Sequence, residues 1–306
     1  MGYRGQYEIA TSIRTTCVWE VTARKTGNVH RFADFTTSTY LDFILSAGEI
    51  ADHLSGVFGS AVHMRRGDGR VGGSICHAVR VTNNVVGTNT NLGIILLLAP
   101  LAGVWVEPDS GLRRRDLDHV LSNLTVDDTK SVYEAIRIAK PGGLGDAPEQ
   151  DVRDEPTVTL LEAMRLAADR DMVARQYANG FADVFDFGVP AFTDALAKFG
   201  CVEAAIIDSQ LRWLATYPDS LIARKNGLAV AEDVQRRAAD VLRLGCIATA
   251  EGRAAGVALD RHLRSDGNRL NPGTTADLIT ASLFVALREN KVTPSAPFRW
   301  DVPDWL

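Results

Sequence analysis

Apolar residues recur every three or four positions along most of the chain, while strict alternation, the mark of a half-buried strand, is almost absent. Ile9, Ile13, Cys17 and Val21, with Val18 beside them, predict a first amphipathic helix. Tyr40, Phe43, Ile44, Ala47, Ile50, Ala51 and Leu54 predict a second, with hydroxyls at positions 36 to 39 available to cap it. A third starts at Ser74, after a glycine-rich segment from Gly67 to Gly73, and carries Ile75, Val79 and Val86. Leu112 to Leu124 and Val126 to Ala139 read as a pair, the second capped by Asp127 or Asp128. Further helices are expected over 160–169, 172–185, 191–198, 202–217, 230–244 and 247–263. A last one is expected with Asn271 as its N-cap and Pro272 as its first residue. About a dozen helices and no strand predict an all-α, single-domain, multi-helix bundle over 1–306, with a tail from 290 to 306 draped on its surface.

One segment breaks the amphipathic rule. Leu92 to Val104 is apolar on every face, so it belongs at the centre, with other helices against each side. Pro100 interrupts its aliphatic run, which is shorter than the ~20 residues a membrane span needs. A polar turn, Asn89, Thr90, Asn91 and Gly93, stands at the mouth of this buried helix. Each buried amide group left unmatched costs roughly 1–3 kcal/mol, so these asparagines are expected to bind ligand or cap the helix.

The chain has 306 residues, with 33 basic and 38 acidic side chains and a formal charge of -5. That balance gives no general case for nucleic-acid or anionic-membrane binding, and any phosphate site must be local. Cys17, Cys76, Cys201 and Cys246 are far apart and lack zinc spacing, which reads as reduced core thiols in a cytoplasmic protein. The start, Met-Gly-Tyr-Arg-Gly-Gln, has no apolar signal core. Oligomeric state is left open, a homodimer included.

Candidate chemistry lies in four polar segments, 25–34, 88–93, 219–227 and 271–277, each abutting a helix end. If they converge, they supply cations for phosphates, carboxylates for a divalent metal, and helix N-termini that favour anions. No Gly-x-x-x-x-Gly-Lys-Ser/Thr and no strand-anchored Gly-x-Gly-x-x-Gly is present, so the usual phosphate cradles are excluded. The longest irregular stretch, Lys140 to Pro156, is read either as a lid or metal-contacting loop, with Asp146 its carboxylate of most interest, or as a plain excursion between helices. His30, among charges, is read as touching ligand or carboxylate, the alternative being a core histidine. Asp277 either serves the site or complements a helix dipole. Asp169, Arg170 and Asp171 read as a solvated face or turn.

Three motifs in order, Lys25-Thr-Gly-Asn-Val-His-Arg, Asn89-Thr-Asn-Leu-Gly and Asn271-Pro-Gly-Thr-Thr-Ala-Asp-Leu, resemble those of the triphosphoribosyl-dephospho-CoA synthase family over nearly the whole chain. The resemblance implies an all-helical enzyme that joins ATP, with Mg²⁺, to 3'-dephospho-CoA and releases adenine. Two departures stand out: Thr26 replaces a usual proline, and Asn91-Leu92 replaces the His-Lys of members acting on dephospho-CoA. Those departures point to a related acceptor as one alternative, and a non-catalytic nucleotide-binding partner protein is the other. On charge and position, Lys25 and Arg31 are assigned to triphosphate, Asp34 and Asp277 to general-base work, and Asn89 and Asn91 to ribose or base. Asp34, Asp146 and Asp277 are the metal candidates. Gly27, Asn28, His30, Thr90, Gly93, Arg224, Lys225, Asn271 and Gly273 complete the expected ATP-binding set.

Overall fold

A computed structural model of the chain describes residues 2–61, 70–104, 111–145, 147–303 and 305–306. Among the described residues the regular structure is helical throughout: α1 (Gly2–Thr22), α2 (Tyr40–Ala61), α3 (Arg70–Val86), α4 (Leu92–Ala102), α5 (Arg114–Ser122), α6 (Val126–Ala139), α7 (Leu160–Ala167), α8 (Met172–Ala178), α9 (Val189–Phe199), α10 (Val202–Thr216), α11 (Ser220–Asn226), α12 (Leu228–Arg243), α13 (Ala250–Leu263) and α14 (Gly273–Arg288). A π-helical turn at Val184–Gly188 leads into α9, and a 3₁₀ turn at Cys246–Ala248 precedes α13.

Ten of the eleven residues of α4 are buried, Gly93 being the exception. It packs against α14, α2, α3, α8, α5 and α6, as a helix without a polar face must. Each fully buried Leu or Ile side chain contributes about 1.5–3 kcal/mol, so this short helix is a strong anchor for the turn that precedes it. It shares the interior with α10 and α14, each also buried over most of its length. The main apolar cluster runs from α1 to α10 and on through α14, and a second one joins α10, α11, α12 and α13.

Several local expectations are corrected. Helix α3 starts at Arg70 rather than Ser74, because Gly72 lets its first turn press against the backbone of α6, where an added Cβ would lie 2.4 Å from the Asp128 carbonyl oxygen. The cap of α6 is Thr125, in a reciprocal pair with Asp128. The helix expected over 172–185 breaks after Ala178, where Gly180 and Phe181 take positive φ and Arg114 binds the carbonyls of Asn179 and Gly180. Pro272, not Asn271, holds the cap position of α14. The C-terminal tail does not drape: Trp305 is 1 % exposed, stacks edge-on against Trp300, and donates its indole N–H to the Arg24 carbonyl at 2.9 Å.

Candidate active site

The N-terminus of α4 opens into a cavity of about 1100 Å³. Its walls come from the end of α1, the 35–38 turn, the 87–94 turn, α6, residues 140–145 and 147–152, α7, α8, α11 and the start of α14. Asp277, in the second turn of α14, lines the cavity. An added Cβ on Gly93 would lie 2.0 Å from Asp277 Oδ2, so only glycine lets this carboxylate settle on the first turn of α4. Among the described residues no side chain or backbone group is hydrogen-bonded to that carboxylate, and it faces the cavity. Burial, and then the neighbouring charges of Glu20, Asp219 and Asp171, push Asp277 well above the usual carboxylate range, with Arg224 opposing.

The other acids around it are tied. Glu20, 4 % exposed, lines the cavity and holds Lys25 Nζ at 3.0 Å. Burial raises Glu20, with Lys25 opposing the rise. Asp219 caps α11 through the N–H groups of Leu221 and Ile222 at 2.9 and 3.0 Å, and accepts from the N–H and hydroxyl of Thr275, both at 2.8 Å. Asp171 caps α8 and pairs with Arg224. The cavity is therefore acidic at depth, while exposed cations, Lys140, Arg170, Lys225 and Arg269, stand around its outer wall.

Of the residues expected from sequence, the cavity gathers Asn28, Asn89, Thr90, Gly93, Arg224, Lys225, Asn271, Gly273 and Asp277. Asn89 Oδ1 accepts the Leu92 N–H at 3.2 Å, and the Thr90 hydroxyl meets that of Ser46 at 2.8 Å. Asn28 bridges, its amide donating to Asn271 Oδ1 at 2.7 Å and its oxygen accepting from Gln210 at 2.8 Å. The 25–34 loop thereby fixes the 271 turn.

The remaining expected residues do not line the cavity. Lys25 is fully buried behind Glu20, donating also to the Glu20 carbonyl at 2.5 Å. Gly27, at φ +70°, donates its N–H to Asp260 at 2.7 Å and abuts Leu263. Arg31 is bound to the Thr22 carbonyl and to Glu203, at 2.8 Å in each case. His30 is a buried neutral ring, pushed down to about 3 by burial and by Lys25, Arg264, Arg31 and Arg24. Asp34 is exposed and accepts the Tyr40 N–H at the start of α2. Asn91 is buried beside the cavity wall, in a small side space. Asp146 lies outside the described residues.

Glu20, Asp171, Lys140, Arg170 and Arg269 also line the cavity, although in the sequence Glu20 and Arg269 carry no site assignment, Arg170 and Asp171 read as a solvated face or turn, and Lys140 only opens the irregular stretch. Glu20 carried a readable signal: it stands three residues after Cys17 and seven after Ile13, an acid on the apolar stripe of α1. Asp171 reads as an N-cap before Met172. Among the described residues no three His, Cys, Asp or Glu side chains are grouped as a metal cage. No helix among them is long and apolar enough to cross a membrane.

Fold and cavity together define an all-α protein with a large mixed-charge pocket, slightly roomier than the usual small-molecule site. The chain belongs to the ATP:dephospho-CoA triphosphoribosyl transferase family, whose model matches residues 6–295. A Pseudomonas savastanoi pv. phaseolicola protein named probable 2-(5''-triphosphoribosyl)-3'-dephosphocoenzyme-A synthase is 33% identical over 115 residues, 37% of this chain and 39% of that protein. A Vibrio cholerae protein of the same name is 32% identical over 108 residues, 35% of this chain and 34% of its own length. These matches thus span under two fifths of either relative. The crystal structure of a candidate triphosphoribosyl-dephospho-CoA synthase from Archaeoglobus fulgidus superposes with a TM-score of 0.58 at 26% identity, covering 79% of this chain and 99% of that one.

Proposed function

We propose that this chain transfers the triphosphoribosyl group of ATP to the 2'-hydroxyl of 3'-dephospho-CoA, or of a closely related acceptor, with release of adenine. Family membership sets the reaction class, and the observation that carries the reading is Asp277: a carboxylate without a protein partner, facing a large cavity from the floor. In the reaction the acceptor oxygen bonds to C1' of the ATP ribose as the bond from C1' to N9 of adenine breaks. The hydroxyl proton passes to a base, and adenine leaves with the electron pair of the broken bond and takes up a proton.

In this reading Asp277, once ionised, takes the hydroxyl proton, and with Glu20 it offsets the positive charge that develops at C1'. Its raised affinity for protons suits a base that must hold one at the transition state. Asn28 and Asn271 fix the floor, and Asn89 offers an amide at the rim. Mg²⁺ enters with ATP as part of that substrate. Such an ion takes one or two carboxylates plus phosphate oxygens and waters rather than a full protein cage, and Asp277 fits that donor set.

The test is incubation of the purified protein with ATP, Mg²⁺ and dephospho-CoA, with free adenine and the coupled product followed by chromatography. Equal amounts of the two are expected. Measurable ATP binding without adenine release on any CoA-like acceptor would overturn the proposal in favour of a non-catalytic nucleotide-binding protein. Leu92 lines the cavity wall where the resemblance in sequence implies a lysine, and this departure favours the related-acceptor version. Release of adenine with pantetheine-containing acceptors other than dephospho-CoA would select it.

A further inference from the structure

The outer wall of the cavity contains a feature that the reaction class does not specify. Lys140, in the left-handed conformation at the end of α6, begins the run Pro141-Gly142-Gly143-Leu144-Gly145. Gly143 and Gly145 have φ of +72° and +66°. The run is pressed onto the end of α11: an added Cβ on Gly142 would lie 2.8 Å from Lys225 Cε, and one on Gly143 3.1 Å from the Arg224 backbone. Among the described residues nothing accepts a hydrogen bond from the N–H groups of residues 142 to 145. Lys140, Arg170 and Lys225 likewise have no carboxylate at ion-pair distance, although all three line the cavity. Arg224 is paired with Asp171, which fixes the Arg170 turn beside α11.

Exposed N–H groups without a described protein acceptor in a glycine turn, flanked by cations with no ion-pair partner among the described residues, make an anion-binding concavity. We infer that the Gly142–Gly143 turn, with Lys140, Arg170 and Lys225, seats the polyphosphate chain of a nucleoside triphosphate. This rests on the transferase reading only for the identity of the nucleotide. Partial desolvation holds Lys225 below the usual lysine range, Asp219 opposing and Arg224 adding to it, so an anion placed there favours its charged form. The same chemistry occurs in the diphosphate of a CoA-like acceptor. A triphosphate carries more charge, and three unpaired cations match it better.

Binding is measured by calorimetry with inorganic triphosphate, ATP, adenosine and dephospho-CoA, on the full chain and on Lys140→Met, Lys225→Met and the double variant, with circular dichroism as a folding control. Each lysine removed should weaken ATP and inorganic triphosphate by about tenfold or more, one charge-assisted contact, and leave adenosine unchanged. Lys225→Arg should recover most of the affinity. Wild-type affinity for ATP in the double variant would overturn the assignment, and so would a loss confined to dephospho-CoA. The two proposals separate cleanly: triphosphate binding lost in the variants of a protein that never releases adenine upholds the cradle and ends the transferase reading. Adenine release with an unchanged KM for ATP in the double variant does the reverse.

Discussion

Asp277 shows how one side chain can be both a functional asset and a stability cost. Its folded-state proton affinity is raised by burial and by Glu20, Asp219 and Asp171. An acid whose folded pKa lies above its unfolded value binds more protons when folded, so stability from this group is complete below the unfolded pKa and is lost as pH rises through the folded one. Asp277→Asn removes that cost without changing shape. It should abolish turnover while melting at or above the wild-type temperature at neutral pH, with the margin shrinking towards pH 4. A folded, fully active variant would remove Asp277 from the mechanism. Glu20 is the largest charge raising Asp277, so Glu20→Gln should shift the acid limb of kcat/KM to lower pH. An unmoved limb in that variant would mean that some other group sets the profile. Lys25 keeps the Glu20 carbonyl as an acceptor in the variant, which limits the damage to folding.

The element that places Asp277 is the junction of α4 with α14, and it depends on Gly93 lacking a side chain. Gly93→Ala sets a methyl group 2.0 Å from the carboxylate oxygen, so either the carboxylate or the first turn of α4 must move. Because misplacement of a reacting group by about 1 Å costs on the order of a hundredfold, kcat should fall by about that factor. An active Gly93→Ala protein would show that this close approach is incidental. At this scale much was legible: the apolar stripes gave most helices, and α6 and the start of α2 fall where the periodicity puts them. The polar turns were read less well, because charge alone does not say which way a side chain faces. Lys25 and Arg31 looked like phosphate ligands, yet Glu20 and Glu203, distant or unremarked in sequence, take them as internal partners. Asn271 looked like a cap, yet Asn28, 243 positions away, takes its oxygen. Only long-range pairing decides such cases, and helical periodicity carries no record of it.

Taken whole, the molecule ties its last residues to the floor of its site. Arg24, buried, bonds Glu203 at 2.7 Å and donates to the carbonyls of Val302 at 2.6 Å and Trp300 at 3.0 Å, while its own carbonyl receives Trp305. The next residues, Lys25 to Asn28, hold Glu20 and the Asn271 turn. The tail is therefore a clamp on the loop beneath Asp277. Trp305 also fills the space above Gly256, where an added Cβ would lie 2.2 Å from the ring. Trp305→Ala should cost about 3–5 kcal/mol, the usual penalty for emptying a buried aromatic site. If the clamp reaches the site, activity should fall at temperatures where the variant is still fully folded, with KM for the acceptor rising as the Asn28–Asn271 floor loosens. Trp300→Ala, at a half-buried ring whose backbone supplies the bonds to Arg24 and Glu203, should cost less on both measures. Thermal melts and steady-state kinetics of the two variants decide the matter: a Trp305→Ala protein that loses stability but keeps its KM would confine the tail to holding the fold together.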